Sequence, residues 1–268
     1  MLQDLPADQP LVRKRQGAVE WIIFNRPASR NALTHEMETS LTRIFRELGN
    51  DKSVRALVMT GAPGNKPAFI AGQDMGDLEN AASPEASMDL EATSETMMEA
   101  LEALRIPTIS AMAGACVGAG ALIAAACDVR IAAPSLRFGF PIARTVGVCL
   151  SLRNYARLSA LIGPARTKDL VFDATLLNAE ASLAAGAVKE VVATEGELLP
   201  RAQAIGEHLA SLAPLTLWST KESLRRLRDA SLPAGEQQDL LLGCYLSSDY
   251  QEGIAAFTAK RPPVFTGT

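Results

Sequence analysis

The sequence predicts an α/β fold with a helical C-terminal part, and three observations carry that reading. Strand-like apolar runs alternate with stretches of helical period up to about residue 192, and only helical periods follow. The 268 residues are 48% hydrophobic and 21% charged, which describes a globule with a core of useful size and excludes a disordered chain or a fibre. The 22 residues from Ile106 to Cys127 carry no charge, yet 8 are Ala and 3 are Gly, with Pro107, Thr108 and Ser110 adding polarity. A buried strand-turn-helix fits that composition better than a membrane span.

The elements follow in order. Val19 to Phe24 reads as a strand, with Leu11 to Arg15 as its partner across Gln16-Gly17, and Asn25-Arg26-Pro27 ends it. Leu33, Met37, Leu41, Ile44, Phe45 and Leu48 recur at a helical period with one buried face. Val54 to Thr60 is a short apolar strand closed by Gly61, and Phe69 begins another brief extended piece. Ser83-Pro84-Glu85 opens the next helix as N-cap and first turn, with Leu90, Met97, Leu101 and Leu104 on its apolar face. Pro107 to Met112 is a strand; a turn over 114–120 leads to a helix through Ala126 and a strand from Val129 to Ala132. Asn178 caps a short helix that ends at Gly186, before a strand from Val188 to Val192. From Leu198 the reading is helical: Leu240, Leu241, Cys244 and Tyr245 share a face, Ser248 and Gln251 form a capping box, and the last helix stops at Lys260-Arg261 before Pro262-Pro263.

Composition narrows the function. With 26 basic and 30 acidic residues the formal charge is −4, so no excess of cations is available for a nucleic-acid partner. Met1 to Pro10 lacks a basic stretch followed by an apolar one, so a signal peptide is not expected and the protein is placed in the cytoplasm. Cys116, Cys127, Cys149 and Cys244 show no C-x-x-C spacing and sit in apolar surroundings, which reads as buried free thiols. With only His35 and His208, a histidine zinc site is not expected, and His35 reads as a surface residue.

Two glycine segments are informative. Gly61 to Pro67 lacks the Gly-Lys-Ser/Thr of a phosphate loop, and Gly114-x-x-x-Gly118-x-Gly120 is not a dinucleotide fingerprint. The latter still places free backbone N–H groups at a helix start, or serves only as a tight packing turn. In Ala68-Phe69-Ile70-Ala71-Gly72-Gln73-Asp74-Met75 a strand runs into Gly72 and the turn frees a second N–H, at Gln73. Two backbone donors from separate turns are what a thioester enolate or tetrahedral adduct requires.

Together these segments resemble the crotonase, or enoyl-CoA hydratase/isomerase, superfamily over about residues 11 to 268. The marks, in order, are Asn25-Arg26-Pro27 with Asn31-Ala32-Leu33; Ala68-Phe69-x-Ala71-Gly72-x-Asp74; and Pro107 leading to Gly114, Gly118 and Gly120. Cys127-Asp128, Phe138-Gly139-x-Pro141, Glu252-Gly253 and Ala256-Phe257-x-x-Lys260-Arg261-Pro262 complete the set. The resemblance implies a spiral of repeated ββα units over 11–195 and a helical trimerisation part over 196–268, assembled as a homotrimer or hexamer. It implies no permanently bound cofactor and no metal; coenzyme A enters as part of an acyl-CoA substrate. The thioester oxygen would meet the N–H groups of Gln73 and Ala119. Ala71, Gly72 and Asp74 would line the adenine and pantetheine, Ala32 would also bind the coenzyme, and Phe257 and Lys260 match positions at the nucleotide end. Arg30 either takes the place of the family's usual cation or is a surface charge.

The chain departs from the family at Leu122 and Ile142, where hydratases of this kind carry glutamates. Neither can activate water or protonate carbon, so two-glutamate hydration is not expected. Arg144 can hold a substrate carboxylate or carbonyl, or pair with an acid. Asp77 or Glu79 can act as base, although the stretch from Asp74 to Glu102, with nine acids and no Lys or Arg, reads as a solvated face. The leading reading is therefore an acyl-CoA enzyme that stabilises an enolate without paired carboxylates. Decarboxylation of a β-carboxylated acyl-CoA, with Arg144 orienting the leaving group, fits it best, and double-bond isomerisation requires one further acid. CoA-ester binding without turnover and thioester hydrolysis are the second and third readings.

Overall fold

A computed structural model describes residues 2, 5–230, 242, 243 and 245–264. The chain runs β1 (Leu11–Gln16), β2 (Val19–Phe24), α1 (His35–Asn50), β3 (Ala56–Gly61), β4 (Ala68–Ala71), α2 (Met75–Asn80) and α3 (Pro84–Glu102). It continues β5 (Thr108–Met112), β6 (Ala115–Val117), α4 (Ala119–Ala126), β7 (Val129–Ala132), β8 (Arg137–Gly139), α5 (Leu152–Ile162) and α6 (Pro164–Phe172). The last elements are β9 (Leu177–Asn178), α7 (Ala179–Ala184), β10 (Glu190–Val191), α8 (Leu198–Ser211), α9 (Pro214–Asp229) and α10 (Ser248–Thr258).

Among the described residues ten strands divide into two sheets, a six-stranded one ordered β1-β2-β3-β5-β7-β10 and a four-stranded one ordered β4-β6-β8-β9. β1 and β2 form the expected antiparallel hairpin, and every later neighbour in the large sheet is parallel. Consecutive strands therefore alternate between sheets: β3 enters the large one and β4 the small one, then β5 and β6, then β7 and β8. Each strand pair followed by helix advances the chain by one turn, which gives the spiral.

β2 and β5 are buried along their whole length, and β3 up to its last residue, because helices cover both faces of the large sheet. Val19, Trp21, Val58 and Ile109 face Ala202 and Ile205 of α8, whereas Ile22, Phe24, Leu57 and Met59 face the main core with Met37, Leu41 and Phe45 of α1. α8 thus belongs to the core it covers.

The caps at Ser83 and Asn178 form as expected, accepting from the N–H groups of Ala86 and Ala181. Differences fall at chain ends and in the irregular middle. α10 is capped by Ser247, which accepts from Tyr250 N–H, one residue before the expected box, and it ends at Thr258. α5 and α6 have no counterpart in the sequence expectations. Leu240, Leu241 and Cys244 lie outside the described residues. The stretch from Ile106 to Cys127 is β5, β6 and α4, and no helix among the described residues is long and apolar enough to cross a membrane.

Candidate active site

The site is built where the two glycine turns meet. The chain after β2 folds back so that residues 30–33 run beside residues 71–74: Ala71 N–H donates to Arg30 O at 3.1 Å, Leu33 N–H to Gly72 O at 2.9 Å, and Asp74 N–H to Leu33 O at 2.7 Å. The Arg26 guanidinium fastens this pairing, donating to Ala32 O at 2.7 Å and to Asp74 Oδ2 at 2.9 Å. Asn31 holds the other end, its amide donating to Ala68 O at 2.8 Å and Ala62 O at 3.2 Å. The Gln73 N–H takes no part in this ladder.

The second turn begins at Gly118, whose φ of 54° and ψ of −118° suit glycine. Ala119 is the first residue of α4, so its N–H has no carbonyl one turn earlier in the helix to meet. The turns are in contact: a Cβ built on Gly118 would stand 3.6 Å from Gly72 Cα, and one on Gly120 only 2.4 Å from Ile70 O. Without a side chain at 120, α4 starts directly against β4.

Both turns open on one cavity of about 650 Å³. Leu78, Leu90, Met97, Met98, Leu122 and Ile142 give it apolar walls, and Tyr245 and Phe257 contribute from the C-terminal end. α10 is seated by Tyr250, whose hydroxyl donates to Leu78 O at 2.5 Å, and by Gly253, where a Cβ would come within 2.7 Å of Val146 Cα. Gln73, Ala119, Arg30, Ala32, Ala71, Gly72, Asp74 and Phe257 all line the cavity. Arg144 and Lys260 do not. Arg144 is exposed after a 3-10 turn, with Thr145 and Val146 facing inward instead, and Lys260 is exposed three residues beyond Phe257. Arg30 is the one cation on the lining among the described residues, and no acid pairs with it there. The Asp74 carboxylate is committed to Arg26 and to the Gly76 N–H that begins α2.

Two carboxyl groups line the cavity that sequence reasoning passed over, Glu38 of α1 and Glu91 of α3. Glu38 is 1% exposed; it accepts from Ser94 Oγ at 2.6 Å and from the Gln73 side-chain amide at 3.4 Å. Burial pushes its carboxyl up to about 7, with Asp77 and Glu91 adding to the rise and the two hydrogen bonds opposing it. Glu91 is raised as well, by burial, although Tyr245 OH donates to it at 2.7 Å. A signal for Glu38 was present: positions 38, 41, 42 and 45 fall on one face of α1, and that face is otherwise buried.

The acidic stretch from Asp74 to Glu102 is not a simple solvated face. Asp77 accepts from His35 N–H at 2.7 Å and so helps cap α1, and Glu79 accepts from Thr258 of α10. Arg157 of α5, its side chain 1% exposed, bridges Glu95 at 2.5 Å and Glu102 at 3.0 Å; Arg228 of α9 reaches the same Glu102. Cys116 and Cys127 are buried free thiols, and burial pushes Cys127 up to about 12, which leaves it unreactive. Among the described residues no group of three His, Cys, Asp or Glu is placed to hold a metal ion.

Comparison with known proteins gives a consistent picture. Residues 14–268 match the family model described as enoyl-CoA hydratase/isomerase. The 2,3-dehydroadipyl-CoA hydratase of Escherichia coli is 31% identical over 259 residues, covering 96% of this chain and 98% of its own. A methylmalonyl-CoA decarboxylase, solved in complex with 2-nitronate-propionyl-CoA, superposes with a TM-score of 0.87 at 27% identity, covering 97% of this chain and 99% of its own. An enoyl-CoA hydratase/carnithine racemase from Magnetospirillum magneticum gives 0.78 at 31% identity, covering 97% and 96%.

Proposed function

The chain belongs to the enoyl-CoA hydratase/isomerase family, and from that premise we propose that it holds an acyl-CoA with the thioester oxygen between the Gln73 and Ala119 N–H groups. The observation that carries this reading is the contact between the Gly72 and Gly118 turns at the edge of a single cavity. As negative charge gathers on the oxygen in an enolate, both donors strengthen their hold. Because they are fixed by the fold, little reorganisation opposes them. Arg30 at the rim, with Lys260 beyond Phe257, supplies positive charge for the phosphates of coenzyme A.

The reaction is one that needs an enolate without a glutamate pair on α4 and the 3-10 turn. Leu122 and Ile142 stand on the cavity wall where the resemblance places those glutamates. Of the two reactions that fit, a proton-transfer reaction such as a double-bond shift is favoured. Arg144 is exposed and off the cavity lining, whereas Glu38, a carboxyl able to carry a proton, is on it, and Arg30, the one lining cation among the described residues, is assigned to the coenzyme's phosphates. Decarboxylation is the second reading, supported by the likeness to the methylmalonyl-CoA decarboxylase.

A panel of crotonyl-, 3-hexenoyl-, methylmalonyl- and butyryl-CoA, followed by mass spectrometry, separates these outcomes. The expected result is conversion of the 3-enoyl ester, with crotonyl-CoA hydrated several orders of magnitude more slowly than by a two-glutamate relative. Hydration at a rate comparable to such a relative overturns the reading. Self-association as a trimer or hexamer is part of the same proposal. It is supported by Leu215, Leu224 and Leu227 of α9, exposed by 65%, 63% and 72%, and light scattering on the purified protein tests it.

A further inference from the structure

The cavity contains a buried acid that binding of the thioester oxygen leaves without a task. We propose that Glu38 is the acid–base residue of this site, moving the proton on the carbon next to the thioester carbonyl. The inference deepens the acyl-CoA reading and rests on it. Its geometric basis is Gln73, which faces both partners: the backbone N–H is assigned to the carbonyl oxygen, and the side-chain amide donates to Glu38 Oε2 at 3.4 Å. The carboxyl thus lies one glutamine side chain from the oxygen that collects the charge. Ser94 Oγ, at 2.6 Å from Oε1, fixes its orientation and acts as a positioning residue. Glu91 lines the same cavity but is engaged by Tyr245 OH, whereas the Gln73 side-chain amide donates to Glu38.

The step balances without a further reagent. A Glu38 carboxylate oxygen takes the proton from the α-carbon; the C–H bond breaks, an O–H bond forms, and the electron pair moves into the thioester to give the enolate. Return of the proton to the same carbon regenerates the ester, and its return two carbons further along a 3-enoyl chain moves the double bond. The group is suited to both directions, because burial raises it to about 7, so both protonation states are populated near neutrality. The groups that set this value face it from three elements: Gln73 from the turn after β4, Asp77 from α2, and Glu91 and Ser94 from α3.

The test follows incorporation of deuterium from heavy water into the α-position of butyryl-CoA, by mass spectrometry, beside calorimetric binding of the same ester. Wild type is expected to exchange, at a rate that rises with pH and levels off above about 7. Glu38→Gln is expected to lose at least about 100-fold in exchange while still binding the ester, and Glu36→Gln, on the exposed side of α1, to behave as wild type. Ser94→Ala removes a donor to the charged form and should move the pH profile upward. Glu91→Gln removes a neighbouring negative charge and should move it downward. Exchange in Glu38→Gln within a few-fold of wild type overturns the assignment, as does wild type that binds butyryl-CoA without exchanging it; both leave the acyl-CoA reading in place. Failure of wild type to bind any CoA thioester removes that reading and this one with it.

Discussion

Replacing Ala119 with proline deletes one hydrogen-bond donor and little else. Ala119 occupies the first position of α4, where proline is tolerated because the N–H has no partner within the helix and the ring's fixed φ suits a helical start. The residue before it is Gly118, which has no Cβ to clash with the incoming ring. The loss therefore falls on the oxygen that would sit between the two turns. One such donor is worth about 3 kcal/mol in the transition state, so kcat should fall by roughly 100- to 1,000-fold. Binding of the thioester should weaken far less, because the ground-state carbonyl carries only partial charge. Turnover or α-proton exchange gives the first quantity, calorimetry the second, and a thermal melt confirms that the variant is folded. A folded Ala119→Pro protein with kcat within about threefold of wild type would refute the reasoning.

Three further perturbations probe the structure around the site. Glu38, raised from 4.5 to about 7, contributes stability below its unfolded value that is lost as pH rises through 7. The shift amounts to about 3 kcal/mol, and Glu38→Gln should therefore resist urea better than wild type at pH 8.5; unchanged pH dependence would contradict this. Arg157→Ala removes the buried cation that Glu95 and Glu102 share, leaving Glu102 to Arg228 and Glu95 to Arg153 at 3.8 Å, and should cost about 1–3 kcal/mol by chemical denaturation. Burial works against the charge on Glu102, but Arg228 and Arg157 outweigh it and hold the carboxyl below its ordinary 4.5. Wild type should accordingly lose stability as pH falls from that value toward the depressed one, and Glu102→Gln should flatten this limb. Gly120→Ala places a methyl against the Ile70 backbone, so α4 must withdraw from β4, with a loss of about 1–3 kcal/mol and weaker thioester binding; an unchanged melting temperature would refute the close approach.

The strand Val19 to Phe24 was legible because all its residues but Glu20 are apolar, as burial on both faces of a sheet requires, and the helix caps were legible because they act over three residues. The ordered motifs became physically intelligible only in space, since Arg26 reaches Asp74 and Asn31 reaches Ala68 across more than thirty residues. α5 was hidden by its own chemistry: its buried face includes Asn154 and Arg157, which no hydropathy pattern marks as core. Glu38 was missed because an acid in the first turn of a helix is ordinarily read as a partner of the dipole. Its position on the face of Leu41 and Phe45 was the contrary sign. Arg144 was overvalued because nearness in sequence to Ile142 does not aim a side chain, and the 3-10 turn between them rotates it outward.

The upper wall of the cavity arrives last in the direction of synthesis. Leu78, Leu90 and Met97 are made well before Tyr245, Tyr250 and Phe257, so a ribosome-bound chain that lacks its final helix shows those apolar side chains to water. A product that stopped short of α10 would keep that apolar surface uncovered and would be prone to associate through it.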